Sequence, residues 1–319
     1  MQTPEKNTAL AGAREHVLVT CGAIEDTLVD VQKRVIAGKE NLKSLSSFDQ
    51  VLANRLLSYT IKRAEELTTL EKSPYFVRCD VLFDDETKPR SLYFAKFLFD
   101  ERDVYSWTAP VATLRFEDVG KEARYTLPSG EEKKGRLLRR DQFMIVDKNI
   151  IFMTTESETQ ARELVYQEHF SSRKQGFVLP EVVAQMEKAQ DKVIRTHHLG
   201  PLAISGPAGS GKTTLALHRV AYLIQSPDTA HLYTPESILV FVQDAATQQY
   251  FAQLLPELGI RDVRITTFDQ WVFDILNLPN TIRYQRHVGT NEHERDSYEY
   301  AKVTALQSGK TPAFSRHPF

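Results

Sequence analysis

The chain has 319 residues, with 40 Lys+Arg against 42 Asp+Glu and a formal net charge of -2. That length suits about two domains of ~150 residues, and the charge balance excludes a whole-chain positive field that would draw it to nucleic acid or lipid headgroups. Two cysteines, Cys21 and Cys79, exclude a disulfide framework, and 41% hydrophobic with 26% charged residues exclude wholesale disorder.

Met1 to Lys6 lack the layout of a secretory signal, and the longest apolar run, Ile238 to Val242, is far below a membrane span. A soluble, monomeric, cytoplasmic protein without membrane contact is expected. From Leu10 to Leu45 the apolar residues Val17, Cys21, Ile24, Leu28, Val31, Val35, Leu42 and Leu45 recur in steps of four and three, with Gly38 as the one gap. This is a heptad seam. Ser44 to Phe48 reads as a turn with Asp49 as N-cap, and Gln50 to Lys72 places Leu57, Ile61, Ala64 and Leu67 on one face. The simplest arrangement is an antiparallel hairpin, which either folds onto the body as an ordinary helical pair or projects as a coiled coil, its shorter arm of roughly 23 residues reaching ~35 Å; the strict 3-4 seam favours projection.

Past Ser73-Pro74 the period changes to two. Tyr75 to Phe83, Ser91 to Phe99, Val104 to Trp107, Val111 to Phe116, Ala123 to Leu127, Gly135 to Arg139 and Phe143 to Met153 read as strands of a mainly antiparallel segment. Helical patterns return at Glu163 to Phe170 and Leu179 to Arg195. An α/β rhythm then begins: strand Leu202 to Ser205, glycine-rich loop, helix Lys212 to Gln225, strand Ser237 to Val242, helix Ala245 to Leu255, strand Val263 to Thr267. Such alternation predicts parallel βαβ units.

The loop Gly206, Pro207, Ala208, Gly209, Ser210, Gly211, Lys212, Thr213 satisfies G-x-x-x-x-G-K-[ST] between an expected strand and a strong helix. Glycines there let successive N–H groups face phosphate oxygens, and the helix beginning at Lys212 adds its positive dipole end. Lys212 is the residue to reach the β- and γ-phosphates of ATP, and the Thr213 hydroxyl the one to ligate Mg²⁺. Hydrolysis also needs an acidic pair on the metal and its water. None follows Thr213: Asp244 lies after the strand expected second in order, and Glu292, Glu294 and Asp296 read as a solvated face. His197-His198 have no Cys or carboxylate partners at zinc spacing. Arg283, Arg286, Arg295, Lys302, Lys310 and Arg316, interleaved with Tyr284, Tyr298 and Tyr300, read as a mixed polar tail rather than a stacking platform.

Gln190, the loop, and Thr214 to Leu223 with Arg219 resemble the start of the first RecA-like lobe of superfamily 1 helicases of the UvrD/Rep type. The resemblance implies that Gln190 reads the adenine edge and that Thr214 and Arg219 lie near the nucleotide. A helical hairpin, Ser73-Pro74-Tyr75-Phe76, Val104 to Ala112 around Trp107 and Pro110, and Arg139-Arg140-Asp141-Gln142-Phe143 are similar to one branch, the HelD-type proteins. That branch implies a motor whose hairpin engages RNA polymerase and whose ATP use helps release nucleic acid. Ser44 to Asp49 at the hairpin tip carry one acid, which speaks against action at the polymerase metal. Gln243-Asp244 supply no basic side chain for tracking DNA, whereas Thr266-Thr267-Phe268 resemble the next DNA-proximal motif.

The expected fold is α/β, a partial P-loop RecA-like lobe with an N-terminal coiled-coil hairpin and a β-rich segment. The expected borders are a hairpin over 1–72, a β-rich segment over 73–154 joined to the lobe, the partial ATP-binding lobe over 155–280, and the start of a truncated inserted subdomain over 281–319. Three functions stay open: the N-terminal part of a HelD-type ATPase that binds RNA polymerase, a UvrD-type DNA helicase, and a nucleotide-binding scaffold that does not hydrolyse. Too few residues follow Thr213 for a second lobe, so the chain alone is expected to bind ATP without completing a work cycle.

Overall fold

The computed structural model describes residues 4–43, 47–157, 186–277, 304 and 308. Helices α1 (Pro4–Leu42) and α2 (Ser47–Lys72) form the expected hairpin. Val17, Cys21, Ile24, Leu28 and Val31 of the predicted seam are buried, as are Leu67 and Leu70 of α2. The helix starts before Asp49, which therefore does not cap it; its carboxylate sits in the first turn, where it complements the helix dipole. Beyond Val31 on α1 and before Leu67 on α2 no residue described for burial is buried. The root is thus a core element, and the distal arm is not.

The central layer is a six-stranded sheet, β3-β2-β1-β5-β4, with β6 also on β5. Its strands are β1 (Val77–Phe83), β2 (Arg90–Ala95), β3 (Val104–Ser106), β4 (Glu122–Thr126), β5 (Glu132–Val146) and β6 (Asn149–Ser157). All pairs are antiparallel except β2 with β3. Strand β5 is one 15-residue element where two were expected. Its residues 135–142 pair with β1, while its other edge is shared end to end by β4 and β6. The predicted strand from Phe143 to Met153 is broken in two, because Asp147 and Lys148 both take left-handed backbone angles and form the turn.

Val111 to Phe116 is not a strand. Pro110 fixes φ and has no N–H, the Ala112 N–H bonds the Ala109 carbonyl at 3.0 Å, and Pro110–Phe116 winds into a 3₁₀ helix that buries Val111, Ala112 and Leu114.

Period-two alternation gives the sheet two working faces. Tyr93 and Ala95 join Phe143 and Ile145 against the hairpin root, whereas Leu92 and Phe94 join Cys79, Val81 and Leu137 in a second core. That second core continues without a break into Trp107, Leu114, Ile194, Leu217, Ala221, Leu255 and Ile260. At ~25 cal/mol per Å² of apolar area removed from water, such a shared core holds the sheet and the following residues as far as Ile260 together.

In that segment stand α3 (Lys188–Ile194), α4 (Lys212–Gln225), β7 (Leu239–Val242), α5 (Ala245–Glu257), β8 (Arg264–Thr267) and α6 (Phe268–Leu276). Strands β7 and β8 pair with each other. The strand expected at Leu202 to Ser205 is absent: these residues belong to no helix or strand, and Leu202 is exposed. A strand needs neighbours for its amides and carbonyls, and among the described residues none pairs with this stretch. The chain separates into two compact units, Met1–Ile265 and Thr266–Phe319, with the border inside β8. The helical patterns at 163–170 and 179–185 and nearly all of 281–319, acids and basic-aromatic tail included, lie outside the described residues.

Candidate nucleotide-binding site

Helix α4 begins at Lys212, directly after the glycine-rich loop, and its N-cap Gly211 provides no side-chain acceptor for the first-turn amides. Gly209 and Gly211 adopt φ of 78° and 79°, a left-handed conformation that L side chains rarely take, and a Cβ on either would meet nothing within 4 Å. Gly206 is constrained differently, since a Cβ there would stand 2.8 Å from Ser210 Oγ. The loop therefore turns at Gly209 and Gly211 with open space beside each of them, and packs closely at Gly206. Lys212 Nζ donates to the carbonyls of Gly206 (2.9 Å) and Pro207 (2.8 Å), arching back over the loop. Thr213 is exposed in the first turn. An ammonium over the loop, a helix dipole without a capping side chain, and a free-standing hydroxyl fit a triphosphate with its Mg²⁺.

Gln190 occupies the third position of α3, where its side-chain oxygen accepts from the Glu187 N–H at 3.0 Å in a reciprocal capping box. Helix α3 packs on α4, the helix that carries Lys212, Thr213 and Thr214. Arg219 fastens them. Its guanidinium donates to the carbonyls of Ile194 and Thr196 at 2.8 Å, His197 at 3.1 Å and Val193 at 3.4 Å. It thereby caps the C-terminal end of α3, where cations are favoured. Asp244 is also engaged: its carboxylate caps α5 by accepting from the Thr247 N–H at 2.7 Å. His198 Nδ1 lies 3.1 Å from the Tyr233 hydroxyl.

Residues 186–307 match the UvrD/REP helicase N-terminal domain. No curated protein matches the chain. The match supports a superfamily 1, UvrD-like relationship, and helicases of that kind use ATP and Mg²⁺. The UvrD-like stretch takes in Gln190, the whole loop, Thr214 and Arg219, and leaves the hairpin and the six-stranded sheet outside it. No helix among the described residues is long and apolar enough to cross a membrane.

The sequence reasoning missed a cluster that ties α3 to the sheet layer. Arg195 donates from Nε to Asp191 Oδ2 at 2.7 Å and from its other nitrogens to the carbonyls of Trp107 (2.6 Å), Thr108 (3.2 Å) and Ala109 (3.3 Å). Arg115, 5% exposed, faces Asp191 Oδ1 at 3.7 Å and lies over the rings of Phe116 and Phe76. Burial pulls its pKa down to about 10, an effect that Asp191 partly offsets, so it stays charged at neutral pH. His218 of α4 is fully buried, with its ring edge-on to Trp107 and Nδ1 donating to the Thr214 carbonyl at 2.7 Å; burial lowers its pKa and keeps it neutral. Only the i,i+4 pair Asp191 and Arg195 was readable from spacing.

Proposed function

We propose that this chain is the N-terminal part of a HelD-type, superfamily 1 helicase-like ATPase, binding ATP with Mg²⁺ on the loop from Gly206 to Thr213 and engaging RNA polymerase through the hairpin. The observation that carries the nucleotide half is the left-handed Gly209 and Gly211 with Lys212 arched over the loop at the start of α4. Gln190 is assigned to the adenine edge, Thr213 to the metal, and Thr214 and Arg219 to the surroundings of the nucleotide. Arg219 acts there by holding α3 against α4. The partner half is supported by the hairpin, whose root is built into a core while its distal arm buries no described residue. Nucleic-acid release coupled to ATP use, rather than unwinding of DNA by tracking along it, agrees with a segment after β7 that offers Gln243 and Asp244 where backbone contacts need Lys or Arg.

Lys212→Ala tests the site. Half-buried Lys212 belongs to neither core, so the variant folds like the parent and loses most of its affinity for ATP, measured by titration with a fluorescent analogue; unchanged affinity sinks the assignment. Retention of RNA polymerase on immobilised chain, with and without residues 1–72, tests the partner. Retention that ignores the deletion rejects it.

A further inference from the structure

Helix α3 is held from two directions. On one side, Arg219 of α4 takes four of the carbonyls at and beyond its C-terminal end. On the other, the sheet-layer segment from Trp107 to Glu117 takes its charged groups: three carbonyls receive Arg195, Arg115 pairs with Asp191, and Glu117 receives Lys188 Nζ at 2.9 Å. That segment is itself fixed to β5, because Arg140 Nη1 donates to the carbonyls of Arg115 (2.6 Å) and Glu117 (3.0 Å). Asp191 is the hub. It is 3% exposed, adjoins Gln190 in sequence, and carries one arginine from its own helix and one from the sheet layer.

A buried carboxylate between two guanidinium groups is costly to take out of water; here it is hydrogen-bonded to Arg195 and held to Arg115 by charge alone, at 3.7 Å. A seven-residue helix also has too little backbone bonding to hold its own place. Tertiary contacts therefore set the place of α3, and with it the Gln190 backbone, while the Gln190 side chain rests locally on the Glu187 N–H.

We propose that Asp191 is a positioning residue for base recognition, the point through which the sheet layer sets the place of Gln190, so that the base-dependent part of nucleotide affinity answers to the Trp107–Glu117 segment while phosphate binding at the loop does not. The proposal rests on the nucleotide reading above and adds a coupling that neither the loop nor the UvrD-like match contains.

The test separates base from phosphate by titrating the 319-residue chain with ATP and with inorganic tripolyphosphate. Gln190→Ala, Asp191→Asn and Arg195→Lys are each expected to weaken ATP roughly three- to tenfold, the scale of one lost hydrogen bond or its misplacement, and to leave tripolyphosphate unchanged. Lys212→Ala weakens both. Folded Asp191→Asn and Arg195→Lys that match the parent for both probes, or lose both equally, overturn the proposal while leaving the loop assignment in place. A parent chain that binds neither probe removes the nucleotide reading itself.

Because Asp191→Asn leaves Arg115 without its counter-charge, hydrogen exchange on the parent provides a measurement independent of any variant. ATP, and not tripolyphosphate, slows exchange in 188–195 and 107–117 together. Protection confined to the loop and α4 rejects the coupling.

Discussion

The ring of Phe97 lies where a side chain on Gly259 would have to go: a Cβ built there stands 2.6 Å from Phe97 Cε1 and Cζ. Gly259 follows α5 with φ of 75°, and the Gly259 N–H bonds the Pro256 carbonyl (2.9 Å) while the Ile260 N–H bonds that of Leu255 (3.0 Å). This is a Schellman-type stop, in which glycine is favoured for its left-handed angle. Here the missing Cβ also lets the sheet-layer ring reach the helix end, with Gln225 Nε2 donating to the neighbouring Leu258 carbonyl at 2.7 Å.

Gly259→Ala therefore meets two penalties, the left-handed angle at about 1–2 kcal/mol and overpacking against a buried ring at about 1–3 kcal/mol. Urea unfolding should show a loss of roughly 3 kcal/mol. A loss below about 0.5 kcal/mol, the scale of an ordinary surface change, contradicts the contact.

His16 gives the hairpin root a pH dependence of definite sign. Its ring stacks on Tyr93 with centroids 4.2 Å apart, and its Nδ1 lies 2.9 Å from the Tyr75 hydroxyl. Burial first, then the charges of Arg78 and Arg102, lower its pKa to about 4. The unfolded chain takes up this proton near 6.5. Between about 6.5 and 4 the unfolded state holds more protons, so the contribution of His16 to stability falls as pH falls through that window. His16→Phe, which keeps the stacking, should flatten the decline in urea midpoint between pH 6.5 and 4.5. An identical decline in parent and variant excludes His16 as its source.

Lys148 pins the root from the opposite corner. In the β5–β6 turn its ammonium pairs with Glu25 of α1 and with Glu71 of α2 at 2.9 Å, and its own N–H bonds the Lys72 carbonyl at 2.9 Å. Hydrogen bonds to the two carboxylates push its pKa upward. Lys148→Met leaves Glu25 and Glu71 facing each other, and amide exchange over the last turns of α2 is expected to speed up while β1 keeps its protection. Equal exchange in parent and variant shows that the pair of helices is held by Leu67, Leu70 and their apolar partners alone.

Periodic features were legible and long-range ones were not. The steps of four and three from Val17 to Val31 mark the buried seam, and even its gap has a structural counterpart, since a Cβ on Gly38 would come within 3.1 Å of Leu57 Cδ1. The turns at Gly209 and Gly211 could be read because they are local to an eight-residue loop. Val111 to Phe116 misled because an apolar run of that length suits a strand or a 3₁₀ turn equally, and Pro110 decided it. Leu202 to Ser205 misled because a strand is a relation between segments. Arg115 and Asp191 lie 76 positions apart, and no spacing rule links them; only a fold that lays the sheet layer against α3 makes them a pair.

ATP turnover is the last quantity the structure constrains. Phosphoryl transfer to water calls for an acidic group on the metal and its water, beyond the Thr213 hydroxyl. In these 319 residues no Asp-Glu pair follows Thr213, and the acid that follows β7, Asp244, has its carboxylate on the Thr247 N–H at the start of α5. Moving it to a metal would uncap that helix at about 1 kcal/mol. The 319-residue chain is therefore expected to bind ATP with Mg²⁺ yet to release phosphate no faster than its Lys212→Ala variant. Phosphate release that depends on Lys212 and falls with Asp244→Asn would show that Asp244 leaves its cap to serve the metal.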